Sequence, residues 1–410
     1  MTTIVPTSEE DPALSVVRFT AEMSWAEAGP EVAEPQVTSL CVEAQECMIS
    51  GRWLDLASLM ITSADLVFPK ASEKDLECIF TVICNLVKKP ESLDESLEIS
   101  KLISTKIAQQ SNEKPALRVK ILFNLYNMLD NPYGRFLVYM KALDVASNGK
   151  AMEHIIPSFK KIETLLKEWN LGLQDQRQLF LAISNILKEH KSSPKDNFKF
   201  LTKYLATFSG DDSHDVNEAK EEAVYTIIEF VKAPDMFQCD LLEMPAVAQL
   251  EKDTKYVLTY ELLKIFLTKR LDAYVDFYTT NSALLKSYGL VHEDCMEKMR
   301  LMTIVDLASN ESGQIPYPLI KNSLQIEDDD VEPWVVKAIT AKLIDCKIDQ
   351  MNQVIRVSRY SERVFGVSQW EELRTKLATW RGNIASVITT IQANKVTEEG
   401  TQTMQGLMIR

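Results

Sequence analysis

Residues 344–357, Ile344-Asp345-Cys346-Lys347-Ile348-Asp349-Gln350-Met351-Asn352-Gln353-Val354-Ile355-Arg356-Val357, decide the architecture of the C-terminal half. Ile344, Cys346 and Ile348 alternate with polar residues, and Ile355 and Val357 repeat that pattern after the polar stretch Asp349 to Asn352. Period-two alternation on both sides of a turn predicts a β-hairpin, with Lys347 and Arg356 on its outer face. Outward towards the N-terminus lie a helix near Asp294 to Ala308, a loop from Ser309 to Gly313, and a short helix near Pro318 to Leu324. The acidic Glu327-Asp328-Asp329-Asp330 follows, then a helix reaching Leu343.

Three helices followed by a hairpin give the layout of a winged helix, spanning 291–367. Beyond it, residues 368–394 predict one long helix, about 40 Å at 1.5 Å per residue. Trp370, Leu373, Leu377, Trp380, Ile384, Val387 and Ile391 are spaced 3, 4, 3, 4, 3 and 4, an a/d seam over three heptads. Such a seam needs a helical partner, in its own domain or on another subunit, and the helix outruns a small winged helix. Gly382 next to Asn383 weakens its middle by about 1 kcal/mol relative to alanine. Residues 395–410 read as a disordered polar tail.

Before the winged helix, residues 36–290 break into amphipathic segments separated by Gly, Pro, Asn or Ser-Pro. Lys114 to Leu129 carries Leu117, Ile121, Leu122, Leu125, Met128 and Leu129 on one face and stops at Asn131-Pro132. Phe159, Ile162, Leu166 and Trp169 form a second stripe, and Leu179, Ile183, Ile186 and Leu187 a third. The pair-to-pair spacing of about 37 to 44 residues matches helical-repeat solenoids. Tyr256 to Leu267 is apolar almost all round, which predicts a helix buried on most sides. The expected fold is therefore all-α: a right-handed helical-repeat array of the TPR or HEAT kind, then a winged helix, then a long helix.

Composition narrows the function. Glycine supplies 12 of 410 residues, against an average near 7 %, and they form neither G-x-G-x-x-G nor G-x-x-x-x-G-K-[ST]. Lys and Arg total 45 against 59 acids, a net charge of −14, so the overall field repels nucleic acid and anionic membrane. Residues 1–35 hold seven acids and one base and read as an acidic disordered tail, neither signal nor transit peptide. No run of 18 apolar residues occurs, so a soluble, cytoplasmic chain is expected. The seven cysteines never form C-x-x-C and suit reduced thiols of such a protein. Four scattered histidines make no metal motif, and Asp211-Asp212-Ser213-His214-Asp215 reads as a loop with Asp215 as an N-cap. No cofactor, metal site or catalytic group is predicted.

A winged helix invites a nucleic-acid reading, but Glu327 to Glu332 precede its third helix and complement the helix dipole instead. Arg356, Arg359 and Arg363 form a small basic strip, either a solvated face or an RNA or ribosome contact. Residues 290–394 hold fifteen acids and twelve bases, which weighs against free RNA binding.

The array, winged helix and long final helix together resemble the PCI domain of the proteasome lid, the signalosome and eukaryotic translation initiation factor 3; the domain would cover about 200–367. Within that family, five strings are similar to the initiation-factor branch: Asn131-Pro132-Tyr133-Gly134-Arg135, Glu168-Trp169-Asn170-Leu171, Lys298-Met299-Arg300-Leu301, Cys346-Lys347-Ile348-Asp349-Gln350, and Phe365-Gly366 with Gln369-Trp370. The resemblance covers roughly 114 to 394, is strongest from about 276 to 381, and is weak before 70. It implies a non-catalytic scaffold that joins other PCI-type subunits and supports recruitment of the small ribosomal subunit and mRNA. The resemblance assigns Trp370, Leu373, Leu377, Trp380, Ile384, Val387 and Ile391 to a helix bundle between subunits, and Ile348, Ile355 and Val357 to winged-helix association or to core. The rival readings are a lid or signalosome scaffold and, from another class, an RNA-binding PCI protein of mRNA export.

Overall fold

The computed structural model describes residues 11–26, 30–190, 194–208, 213–309, 313–364 and 366–407. Side chains are described except at 30, 213–215, 368 and 394–407. Residues 1–10, Asp211, Asp212 and Phe365, all named above, lie outside that set. The chain forms two units, one ending at Thr207 and one beginning at Phe208.

The first unit runs α1 (Pro12–Ser24), α2 (Pro30–Ile49), α3 (Trp53–Val67), α4 (Glu73–Asn85), α5 (Leu93–Gln109), α6 (Pro115–Met128), α7 (Pro132–Asn148), α8 (Ile162–Trp169), α9 (Leu173–His190) and α10 (Pro194–Ala206). Alternate helices stack: α1 on α3, α3 on α5, α5 on α7 and α7 on α9, with α4 on α6 beside them. That two-layer arrangement is how a helical repeat buries a face no single hairpin could cover. The stripes expected at 117–129 and 179–187 point inward, with Leu117, Ile121, Leu122, Leu125, Leu129, Leu179, Ile183, Ile186 and Leu187 all buried.

Residues 12–24 and 30–35, expected as tail, are instead α1 and the first turns of α2. Asp11 caps α1, its carboxylate accepting from the Ala13 N–H at 2.8 Å, and Ala13, Val16, Val17, Thr20 and Ala21 are buried against α2 and α3. The inward face is made of alanines, valines and a threonine, and reading 1–35 as one acidic block hid it, although α1 itself holds only Glu22 against Arg18.

The second unit continues α11 (Ser213–Glu218), α12 (Lys220–Lys232), α13 (Pro245–Ala248), α14 (Val257–Thr268), α15 (Leu271–Ser287) and α16 (His292–Ala308). Then come β1 (Gln314–Pro316), α17 (Tyr317–Leu324), α18 (Val331–Thr340), β2 (Ile344–Asp349), β3 (Val354–Tyr360) and α19 (Val367–Leu407). α14 packs on α12 and α15 and buries Leu262, Leu263, Ile265, Phe266 and Leu267, as its composition demands. Since α11 opens at Ser213, Asp215 lies inside its first turn and does not precede it. α19 runs past Asn394 to Leu407, where the sequence reading placed a tail.

Helix ends explain how a chain so poor in glycine turns so often. Asn170 and Gln325 take left-handed conformations (φ 49° and 53°) at the C-termini of α8 and α17, a state that costs a non-glycine residue about 1–2 kcal/mol. Cationic side chains from other elements satisfy the orphan carbonyls. Lys114 Nζ donates to Phe68 O and Ala71 O beyond α3 at 3.2 and 2.9 Å. Arg118 Nη1, wholly buried, donates to Ile107 O at 2.8 Å, and Arg300 Nε to Leu324 O at 3.1 Å.

Candidate subunit interface

The winged helix is built around one apolar cluster. α16 contributes Leu301, Ile304, Val305, Leu307 and Ala308; Ile320 and Leu324 come from α17, and Val331, Val335 and Ala338 from α18. The sheet, in the order β1-β3-β2, closes the cluster with Ile315, Ile344 and Ile355. β1 was missed in the sequence because it has three residues, one of them proline, which is tolerated only at an edge. Of the acids expected ahead of the third helix, Glu332 lies inside the first turn of α18, at the positive end of its dipole; Lys321 Nζ meets Asp328 Oδ2 at 2.6 Å, and Tyr317 Oη donates to Glu332 Oε1 at 2.9 Å.

The strand register separates the three hairpin residues assigned to association. Ile315, Ile355 and Ile348 stand opposite one another across the sheet and so share a face. Ile315 and Ile355 are buried, so Ile355 is core and is withdrawn as an association residue. Val357, half-buried opposite Cys346, packs against the same core and is withdrawn with it. Ile348, on edge strand β2, is 37 % exposed and carries the apolar row out to the surface, next to Met351 at the hairpin tip, 97 % exposed. The sequence reading missed Met351 because it lies in the turn, outside the alternating pattern. Lys347 and Arg356 stand opposite each other on the outer face, as expected.

The arginine strip does not exist as a strip. Arg356 Nη2 lies 3.0 Å from Asp349 Oδ2, a carboxylate that Asn352 and then Arg356 hold below its usual range. Arg359 Nε lies 3.0 Å from Asp345 Oδ2, across an irregularity in the β2–β3 register at Asp345/Cys346. Arg363 is 7 % exposed and faces inward, where its guanidinium donates to Lys269 O at 2.6 Å and to Met302 O, and approaches Asp306 Oδ1 at 3.8 Å. Burial lowers it to about 10 against the opposing pull of Asp306. Arg363 is therefore withdrawn as a nucleic-acid contact. Nothing in a local sequence window distinguishes an inward arginine from an outward one; the partners come from 61 and 94 residues away.

The seam of α19 faces outward. Trp370, Leu373, Leu377, Trp380, Ile384, Val387 and Ile391 are between 37 % and 65 % exposed, and Ile388 and Val367 are exposed beside them. About six turns of helix with such a stripe leave apolar surface that a soluble monomer rarely shows. Among the described residues no three His, Cys, Asp or Glu side chains gather where they could hold a metal ion, and no helix is long and apolar enough to cross a membrane. The surface offers association by apolar burial.

Comparison with known proteins names the same two elements. Residues 261–359 match the PCI domain, and residues 363–391 match the C-terminal helix of initiation factor eIF3 subunit M. The chain is 35 % identical over 349 residues to eukaryotic translation initiation factor 3 subunit M of Dictyostelium discoideum, covering 84 % of this chain and 86 % of that protein. It is 31 % identical to the Gallus gallus subunit M and 30 % identical to the Homo sapiens one, each over 346 residues, 84 % of this chain and 90 % of the relative. With a winged helix of the PCI type followed by a helix that matches the C-terminal helix of subunit M, the chain belongs to the family of eukaryotic translation initiation factor 3 subunit M.

Proposed function

We infer that the chain acts as a scaffold subunit of the translation initiation factor 3 complex, joined to neighbouring subunits chiefly through α19. The observation that carries this reading is the outward a/d seam from Trp370 to Ile391, within the helix matched to subunit M. Covering it with partner helices would bury leucines, isoleucines and tryptophans at about 1.5–3 kcal/mol each for the aliphatic side chains. Ile348 and Met351 at the hairpin supply a second, smaller contact to another PCI-type subunit. Recruitment of the small ribosomal subunit and mRNA then follows from membership of the complex in the cytoplasm, without catalysis by this chain. Free nucleic-acid binding has little support, since Arg356 and Arg359 are paired with Asp349 and Asp345.

Leu373→Asp with Leu377→Asp tests the reading. Both side chains are exposed in the isolated chain, so the variant should keep its circular-dichroism helix signal and thermal midpoint while initiation-factor subunits no longer co-purify with it. A variant that retained those subunits would place the main interface elsewhere.

A further inference from the structure

α19 leaves the winged helix through a six-residue joint, Ser361 to Gly366, between the end of β3 and Val367. The joint is fastened at three points. Ser361 N donates to Leu343 O at 2.8 Å. Arg363 reaches Lys269 O, at the C-terminus of α14, and Met302 O in α16. Gly366 N donates to Gln369 Oε1 at 3.1 Å, the backward half of a capping box at the first turn of α19. A Cβ on Gly366 would lie 2.7 Å from Glu243 Oε1, so the helix starts pressed against the segment before α13.

The middle fastening is the unusual one. Asp306 on α16 lies between two arginines, with Arg270 Nε at 2.5 Å from Oδ2 and Arg363 Nη2 at 3.8 Å from Oδ1. One carboxylate thus ties the α14–α15 turn, α16 and the joint together. Among the described residues Arg363 Nε has no hydrogen-bond partner although it is buried, a desolvation cost that an apolar side chain of similar length would not carry. A residue chosen for stability alone would be apolar; a planar fork with two carbonyl acceptors and a carboxylate fixes an orientation.

We propose that Arg363 is a positioning residue that sets the direction in which α19 leaves the winged helix, so that its seam is presented to partner helices already aligned. The role rests on the reading of α19 as the subunit interface. Its leverage is large: Ile391 lies about 36 Å along the helix from Val367 at 1.5 Å per residue, so a swing of about 30° displaces it by about 19 Å. An unaligned seam pays that orientational freedom on association, whereas a fixed one has paid it in folding.

The test uses the full chain with spin labels on unnatural side chains at Asn322 in α17 and Ala385 in α19, both exposed, so that the native cysteines stay unmodified. Pulsed electron–electron resonance should give one narrow distance distribution for the native chain. Arg363→Met, which keeps the bulk, and Arg363→Lys, which keeps the charge but not the fork, should each broaden it about twofold or more. Recovery of co-purifying subunits should fall about tenfold while the thermal midpoint of the winged helix holds. An unchanged distribution in both variants overturns the proposal, and so does a broadened one with undiminished recovery. Should Arg363→Met fail to fold, Arg363→Lys alone decides on the same two readings. The distance measurement needs no partner, so failure of the interface reading itself shows separately, as intact assembly of the Leu373→Asp, Leu377→Asp variant.

Discussion

Lys298 shows what a buried cation does in this fold and what it costs. Its ammonium donates to Ala233 O at 2.8 Å and to Phe230 O, closing the end of α12, and lies 4.1 Å from the Phe230 ring centroid. Burial lowers it to about 7; a neutral amine keeps two N–H donors, enough for both carbonyls. The unfolded chain holds this proton up to its ordinary 10.5, so from about pH 7 upward it binds more protons than the folded chain and stability rises with pH. The Cys239 thiol, pushed up to about 12 by burial, and the Cys295 thiol, also raised, act oppositely once unfolded thiols ionise near 9. Between pH 7 and 9 the urea midpoint of the native chain should therefore climb relative to that of Lys298→Met, and below pH 7 their difference should level off; parallel profiles throughout would show that burial does not perturb Lys298. The same residue explains why short strings were diagnostic. Lys298 and Arg300 close helix ends, Asn131 caps α7 through Tyr133 N and Gly134 N, and Trp169 Nε1 donates to Tyr126 Oη. Their spacing is dictated by the fold, which makes them legible as family strings, while their partners, 43 to 65 residues away for Trp169 and Lys298 Nζ on Ala233, were not legible at all.

At the scale of elements, sequence periodicity succeeded wherever one face is large and apolar. The stripes in α6 and α9, the β2–β3 hairpin and the seam of α19 all stand where their spacing puts them. It failed where the buried face is small or the element short: α1 buries only alanines, valines and a threonine, and β1 is three residues long. Two glycines make the contrast testable. At Gly149, after α7, a Cβ would lie 2.4 Å from Pro115 Cβ and 2.5 Å from Ser111 O, whereas at Gly382 it would meet nothing within 4 Å. Gly149→Ala should lower unfolding stability by about 1–3 kcal/mol through overpacking. Gly382→Ala should leave the core untouched and raise the helicity of α19, by about 1 kcal/mol in helix propensity. Thermal melts and far-ultraviolet circular dichroism read both, and a neutral Gly149→Ala would mean the loop before α6 yields freely.

At the scale of the whole molecule, the chain carries a net charge of −14 and exposes an apolar seam on α19. The sequence made the scaffold class legible through the family strings and through a heptad seam that outruns its own winged helix. It did not show which hairpin residues are core, because alternation marks a face without saying how far across the sheet the core extends: Ile355 lies under it and Ile348 beyond it, though they are direct cross-strand neighbours. Nor could it orient Arg363. The central claim is that α19 and the winged helix hold this chain in the initiation factor. It is tested most directly by affinity purification of the tagged full-length chain from cytosol at about 0.3 M salt, enough to screen weak charge contacts, with mass spectrometry of what remains bound. The account predicts recovery of translation initiation factor 3 subunits together with small-ribosomal proteins. Recovery of proteasome-lid or signalosome subunits instead, or of the chain by itself, would contradict it.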